Sequence, residues 1–371
     1  MAEDRDVFER RLRRDDFLKL AAVGGGAALL AGRAGAAEAA LARLGAESGR
    51  LQVLDWAGYG NDGGQAMFAQ YVKRYPNNKP QFTYMTNEAN ALAKMHAGFK
   101  PDVVRPYVGY VQDFATSGFV QPWDTSLISN LKYLNPTMVK AGSYQGKQYG
   151  IPADWGFDKI LYRADKVKPR AASWGLLFDE RYKGKIAWFD DLNALVWAGY
   201  YLGFKTPYDQ TDAQLKQSQK LLISKKHVVR MFWSSETDMD NAFASGDIWI
   251  AYAWPYDYVA MKAKKLPVVY MQPKEGAISW IGMLMLGKST PRPQLAHAYV
   301  DAWSSIPSAT WLENNYGYGS ANTKARPSSS DLQKVLQLNN PNAVAEPNAH
   351  IDRYIPRRQV YAKLWEEVKA S

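Results

Sequence analysis

Leu51-Gln-Val-Leu-Asp-Trp56, running on into Ala57-Gly58-Tyr59, is the stretch whose reading decides the fold. It is a short β-like run that ends in aromatic residues and a glycine. A helix is expected near Gly63 to Lys73, a strand from Gln81 to Tyr84, a helix from Asn87 to Gly98 with Ala91, Leu92, Ala93 and Met95 on its buried face, and a short strand from Asp102 to Val104. Strand and helix in alternation imply an α/β domain with a central sheet. Such sheets bind ligands beyond the carboxyl ends of their strands. Three loops follow strands here: Trp56-Ala57-Gly58-Tyr59, Thr86-Asn87-Glu88 and Arg105-Pro106-Tyr107. They are expected to meet at one cleft.

A second α/β stretch begins near Trp155, with a strand from Lys185 to Phe189, a helix from Leu192 to Leu202 and a strand from Asp247 to Tyr252. Gly276 to Leu286 reads as a strand pair, and Gln359 to Lys369 has the spacing of a helix that packs against one lobe. The length of 371 residues and the 47% hydrophobic content suit two domains of ordinary size.

Upstream of about Ser48 the composition changes. Arg10, Arg11, Arg13, Arg14 and Lys19 precede an Ala/Gly-rich apolar run from Leu20 to Gly32, too short to span a bilayer, and small residues follow at Ala34-Gly35-Ala36 and Ala37-Glu38-Ala39. Residues 1–39 therefore read as a signal peptide, and the mature protein as periplasmic or otherwise extracytoplasmic. Arg13-Arg14-Asp15-Asp16-Phe17-Leu18-Lys19 resembles a twin-arginine signal, although two aspartates separate the arginine pair from Phe17. The general secretory route stays open.

The composition excludes several chemistries. There is no cysteine, so no disulfide, thiolate site or lipidated N-terminal cysteine. The four histidines, His96, His227, His297 and His350, are never paired at metal-ligand spacing, and no phosphate-binding or nucleophile-elbow motif occurs. No metal, cofactor or catalytic residue is assigned. The formal charge of +10 comes from small basic groups mixed with apolar residues, such as Lys262, Lys264 and Lys265, which reads as a solvated surface and not a nucleic-acid site. Glu236, Asp238 and Asp240, behind Ser234-Ser235, read as the acidic first turn of a serine-capped helix.

The positive signal is aromatic, with 13 Trp and 23 Tyr. Trp56, Tyr59, Tyr107, Trp254, Tyr256, Trp280 and Tyr318 stand at strand ends or beside glycine. Aromatic faces attract cations through the ring quadrupole and also stack on sugars or heterocycles, so a box of them with one or two carboxylates suits an amine.

An ordered series of markers runs along the chain: Trp56-Ala-Gly-Tyr59, Asn87-Glu88, Asp102-Val-Val, Ile151-Pro152 with Trp155-Gly156, Tyr182-Lys-Gly-Lys185, Asp190-Asp191, Pro273-Lys-Glu-Gly276 with Trp280, and Gly317-Tyr318 with Asn322. On these the chain resembles the spermidine/putrescine-binding receptors of bacterial ABC transporters. The resemblance implies a type II periplasmic-binding-protein fold, two α/β lobes joined by crossing hinge strands, with lobe one at 50–154 plus 282–326 and lobe two at 155–281 plus 327–371. It implies a monomer that delivers a small amine-like ligand to a membrane permease. Trp56, Tyr59, Trp280 and Tyr318 match positions of the family's aromatic box, and Asp191 matches one of its acids. Tyr107, Trp254 and Asp257 complete the expected ligand-binding set, with Asp154 as another carboxylate source and Arg105 as the feature that would favour an anionic or zwitterionic solute. Two acids of the pattern are absent, replaced by Ala194 and Gly282, and Gly109 replaces a tyrosine. Loss of an acid facing a buried ammonium costs about 3–5 kcal/mol on the scale of a broken buried ion pair. A receptor for another organic solute, an exported hydrolase or lyase using cleft carboxylates, and an adaptor without a small ligand stay open as alternatives.

Overall fold

The computed structural model describes residues 47–60, 64–329, 333, 334, 337, 340, 343 and 349–371. The signal peptide read at residues 1–39 lies outside them. The first sheet region uses β1 (Gln52–Asp55), β2 (Gln81–Tyr84), β3 (Val103–Val104) and the short β4 (Val120–Gln121), and a small hairpin of β5 (Ser143–Tyr144) and β6 (Lys147–Gln148) precedes the long β7 (Gly150–Arg163). The second region uses β8 (Ile186–Phe189), β9 (Val229–Trp233), β10 (Ile250–Ala253) and β11 (Val268–Met271); then come the long β12 (Ala277–Gly287), β13 (Gly319–Ser320) and β14 (Ala349–Ile351). The main path is β2-β1-β3-β12-β7-β10-β8-β9. β1 pairs in parallel with β2 and β3, and β8 in parallel with β9 and β10, as expected of strands covered on both faces by helices.

Gly276 to Leu286 is one long strand, not the strand pair expected. All eleven residues of β12 are buried, and it pairs antiparallel with β7 from Ile278 opposite Asp158 to Met285 opposite Gly150, with an irregularity between Gly282 and Met283. β7 also pairs through its carboxyl half with β10 and β11. These two strands thus belong to both halves of the sheet. A run of apolar residues without strict alternation, such as Ile281-Gly282-Met283-Leu284-Met285-Leu286, is what a fully buried crossing strand needs.

Much of the aromatic excess is core. Trp155, Trp174, Trp188, Trp197 and Trp233 are among the largest fully buried side chains. In the second half Trp188 meets Trp197 edge-on at 5.3 Å and Phe178 at 5.6 Å, while Trp174 stacks on Tyr252 at 5.7 Å. The expected C-terminal helix spans Arg358–Ala370 and buries Tyr361, Trp365 and Val368 in this same core. The helices expected before β9 and after it are also present, at Ala194–Tyr201 and Glu236–Ser245, and Ser235 caps the latter by accepting the N–H of Asp238 at 3.2 Å. No helix among the described residues is long and apolar enough to cross a membrane.

Candidate functional site

The three loops do meet. Trp56 stacks on Tyr107 at 5.0 Å and donates its Nε1–H to the Arg105 carbonyl at 3.1 Å, while Glu88 Oε1 accepts the backbone N–H of Tyr107 at 3.1 Å. Tyr107 also forms an isolated bridge to Gly282 of β12, which brings its ring to 5.3 Å from Trp280. Trp280 meets Tyr318 edge-on at 4.9 Å, and Tyr318 leads through Tyr316, at 5.9 Å, to Tyr256 at 6.0 Å. The result is a continuous aromatic strip, Trp56–Tyr107–Trp280–Tyr318–Tyr316–Tyr256. Tyr316 had no sequence signal beyond its neighbourhood. Trp254 stands apart from the strip, against Trp233 at 4.9 Å and Phe189 at 5.2 Å.

Beside the strip lies a closed ion network. Arg105, fully buried, is 3.1 Å from Asp55 Oδ1 through Nε and 3.1 Å from Asp154 Oδ1 through Nη1. Its guanidinium lies over the rings of Trp303 and Tyr59, at 4.0 and 4.2 Å. Tyr59 donates its hydroxyl to Asp154 Oδ2 at 2.6 Å. Both oxygens of Asp154 are thereby engaged, and the charge of Arg105 is shared by two carboxylates. Asp154 is thus occupied within the chain, while Arg105, fully buried between two carboxylates, keeps Nη2 without a hydrogen-bond partner. Gly282 has a direct explanation: a Cβ there would sit 2.2 Å from Asp154 Oδ1. The carboxylate of β7 occupies the space that a side chain on β12 would need.

Carboxyl groups gather at both ends of the strip. At the Tyr107 end, Glu88, Asp158, Asp191 and Asp352 come together from the first turn of the helix Glu88–His96, from β7, from the turn after β8 and from the residue after β14. Burial raises the pKa of each. Glu88 is pushed to about 7 against the opposing N–H of Tyr107, and Asp352 to about 6 against the nearby Arg358. Asp158 moves well above the usual range although Tyr252 donates to its Oδ2 at 2.6 Å, and Asp191 moves up despite accepting the N–H of Asn193 at 2.8 Å. Asp190 points elsewhere, accepting from Trp365 Nε1 and pairing with Lys369, each at 2.8 Å. The two adjacent aspartates therefore have different partners. A Cβ at Gly109 would fall 2.4 Å from Asp352 Oδ2, so the carboxylate fills the space opened by that glycine.

At the Tyr318 end, Asp257 caps the helix Pro255–Ala263 by accepting the N–H of Trp254 at 2.6 Å, with Glu236 in hydrogen-bonding reach and Asp240 close by. Burial and mutual repulsion push Glu236 to about 7, burial pushes Asp240 to about 7, and Asp257 rises for the same two reasons as Glu236. The reading of Glu236 to Asp240 as a helix start was right for the backbone and silent on this burial. The site sequence reasoning missed most is therefore Glu236, Asp240, Asp158 and Asp352. A depression of about 640 Å³ lined by residues between Thr125 and Ser143 lies away from the strip.

A crossing pair of strands shared by two half-sheets, with aromatic and acidic side chains gathered beside the crossing, defines a two-lobed solute-binding protein. The family model for bacterial extracellular solute-binding proteins matches residues 66–338, and the chain belongs to that family. A putrescine/cadaverine-binding protein of Pseudomonas aeruginosa is 27% identical over 296 residues, covering 75% of this chain and 82% of its own. Among solved structures, the spermidine/putrescine transporter substrate-binding protein PotD of Streptococcus pneumoniae superposes with a TM-score of 0.70 at 18% identity, over 87% of this chain and 99% of its own. The A. tumefaciens B6 protein MotA, solved with glucopine, superposes with a TM-score of 0.70 at 15% identity, over 86% and 99%. The two structures attest the fold.

Proposed function

We propose that this chain is the exported substrate-binding component of an ABC importer and that it captures a small, polyamine-like nitrogenous cation between its lobes. One observation carries the reading: an aromatic strip with buried carboxyl groups at both ends, whose burial leaves them short of positive charge. An ammonium supplies that charge, and the ring faces accept the intervening methylenes. The P. aeruginosa relative, named for putrescine and cadaverine, supports the same class. The closed Arg105 network speaks against an anionic solute.

Lobes divided at 154/155 and 281/282 are supported by the register, since Asp154 faces Gly282 and Trp155 faces Ile281 across the crossing strands. The packing of the C-terminal helix on the second core agrees with its assignment to lobe two. Export through the leader at residues 1–39, a periplasmic location, a permease partner and a monomeric state belong to the same proposal.

A thermal-shift and calorimetric series with putrescine, cadaverine, agmatine and spermidine tests it. Occupancy at a hundred times Kd stabilises the fold by about 2.7 kcal/mol. The expected result is a ligand-dependent rise in Tm without product formation, weakened at least tenfold by Asp191→Asn. Turnover of any of these amines, or binding of none of them, overturns the reading.

A further inference from the structure

One edge of the second half-sheet gathers basic side chains that are scattered in the sequence. β8 runs parallel to β9 and β10, β7 runs antiparallel to β10, and β11 runs antiparallel to β7. The amino ends of β8, β9, β10 and β11 therefore lie beside the carboxyl end of β7, at the opposite end of these strands from Asp191 and Trp254. Backbone hydrogen bonds tie the loops of this edge together. Gly184 N–H donates to the Val228 carbonyl at 2.8 Å, Trp249 N–H to the Lys185 carbonyl at 2.8 Å, Arg163 N–H to the Trp249 carbonyl at 2.9 Å and Ala164 N–H to the Pro267 carbonyl at 2.7 Å. The helix Asp212–Lys225 ends here as the chain enters β9, and Tyr201, the last residue of the helix after β8, lies 5.2 Å from Phe178, beside Asp179.

Residues 163–168, 179–185, 201–205, 225–227, 246–249 and 262–267 make up this edge. They hold twelve Lys and Arg against four Asp and Glu, so most of the chain's formal net charge of +10 sits here. Three of the four acids are already paired within the edge: Asp165 with Arg163 at 2.9 Å, Asp179 with Arg181 at 2.5 Å and Glu180 with Lys225 at 2.7 Å. Lys166, Lys168, Lys183, Lys205, Lys264 and Lys265 are exposed and belong to no ion pair of the described residues. Like charges collected on one surface attract an anionic partner. A separate observation says which kind. Tyr201, Leu202, Ile223 and Val269, each between 36% and 40% exposed, stand at the same edge. A nucleic-acid backbone gives Leu, Ile and Val nothing to enter, whereas a bilayer surface offers phosphates for the lysines and an acyl boundary for the apolar groups.

We propose that this edge docks on an anionic bilayer surface, with its unpaired lysines on lipid phosphates and Leu202, Ile223 and Val269 at the boundary between headgroups and acyl chains. The carboxyl ends of the same strands, with Asp191 and Trp254, point away from the docked edge, so the cleft stays open to solute. A receptor held in this way is concentrated near a permease in the same membrane. That role rests on the export and importer reading given above; the docking itself does not depend on the amine.

The test compares two full-chain variants of equal net charge: K166Q/K183Q/K205Q/K265Q at the edge, and K100Q/K132Q/K140Q/K147Q, four exposed lysines outside it. The probes are vesicles of phosphatidylglycerol with phosphatidylcholine, vesicles of phosphatidylcholine alone, and polyuridylate. The wild type and the second variant are expected to sediment with the anionic vesicles at low salt, to be released by high salt, and to ignore phosphatidylcholine. The edge variant is expected to bind the anionic vesicles about tenfold or more weakly, with unchanged Tm and unchanged amine binding. L202S/I223S is expected to weaken vesicle binding further without touching its salt dependence. Equal weakening by the two lysine variants would reduce the effect to overall basicity and overturn the proposal. Tighter binding to polyuridylate than to vesicles would also overturn it, in favour of a polyanion. So would vesicle binding that the edge variant leaves intact. Failure to bind any amine, with docking preserved, breaks only the amine reading.

Discussion

Two groups of buried acids flank the cleft and are treated in opposite ways. In the first half, Asp55 and Asp154 share Arg105 and receive further donors from Trp56 N–H and the Tyr59 hydroxyl. In the second, Asp257 receives the Trp254 N–H, but Glu236, Asp240 and Asp257 have only one another and the exposed Lys264 for charged neighbours. Burying a charge is costly unless it is paired, and a set of carboxyls without a cation keeps its protons instead. The first group has its counter-charge within the chain, although Asp55 Oδ2 and Arg105 Nη2 keep no hydrogen-bond partner. The second has no ion-pair partner among the described residues. Acid content alone does not distinguish the two; the presence of a partner does.

The strongest way to break the comparison is to remove the arginine. Arg105→Met leaves Asp55 and Asp154 buried without a counter-charge and is expected to cost about 3–5 kcal/mol in urea unfolding at pH 7. A loss under about 1 kcal/mol would mean that the network is not what holds this region. Next comes Gly282→Ala, where the added methyl meets Asp154 Oδ1 and must displace it from Arg105. Overpacking of this kind costs about 1–3 kcal/mol. Wild-type stability would show that Asp154 can move aside and that its pairing is loose.

The smallest effect is a difference in pH dependence. Glu236 and Asp240 have folded values of about 7, above their unfolded ones, so the folded state binds more protons and their destabilisation grows as pH rises from about 4 to 7. It is fully present above 7 and absent below the unfolded values. Around them stand Asp257, Lys264, Tyr256 and Tyr318, none of which reverses the sign. The ligand-free wild type should gain on the order of 1–2 kcal/mol between pH 8 and 5.5 relative to the double variant E236Q/D240N. Parallel pH curves for the two proteins would place these acids among ordinary solvated groups.

The architecture was legible because its signals are local. The strand at Gln52–Asp55 and its two following loops could be read from alternation and from aromatic residues beside glycine, and the loops converge as that pattern requires. The long crossing strand β12 was misread as a pair, because its apolar run exceeds an ordinary strand in length and offers no periodicity to show that one strand serves two lobes. Asp191 was singled out through the family resemblance and Asp257 through its place in Trp254-Pro-Tyr-Asp257. Asp352 could not be: it reaches the cleft because β14 pairs with β12, a contact between positions more than seventy residues apart. One trace of it was present in the sequence, as the glycine at 109 whose missing side chain makes room for that carboxylate. Glu236 and Asp240 were hidden by a valid reading, since an acidic first turn has the same spelling whether its side chains face solvent or the interior.

The division of the tryptophans between core and strip gives this protein a built-in optical reporter. Trp155, Trp174, Trp188, Trp197 and Trp233 are fully buried and contribute emission that ligand capture leaves constant. Trp56 is only partly buried and stacks on Tyr107 at one end of the strip, so under the proposed function its surroundings are expected to change when a guest enters. A difference spectrum between the wild type and Trp56→Phe therefore isolates a single indole against the other twelve, and reads occupancy of the cleft without a label.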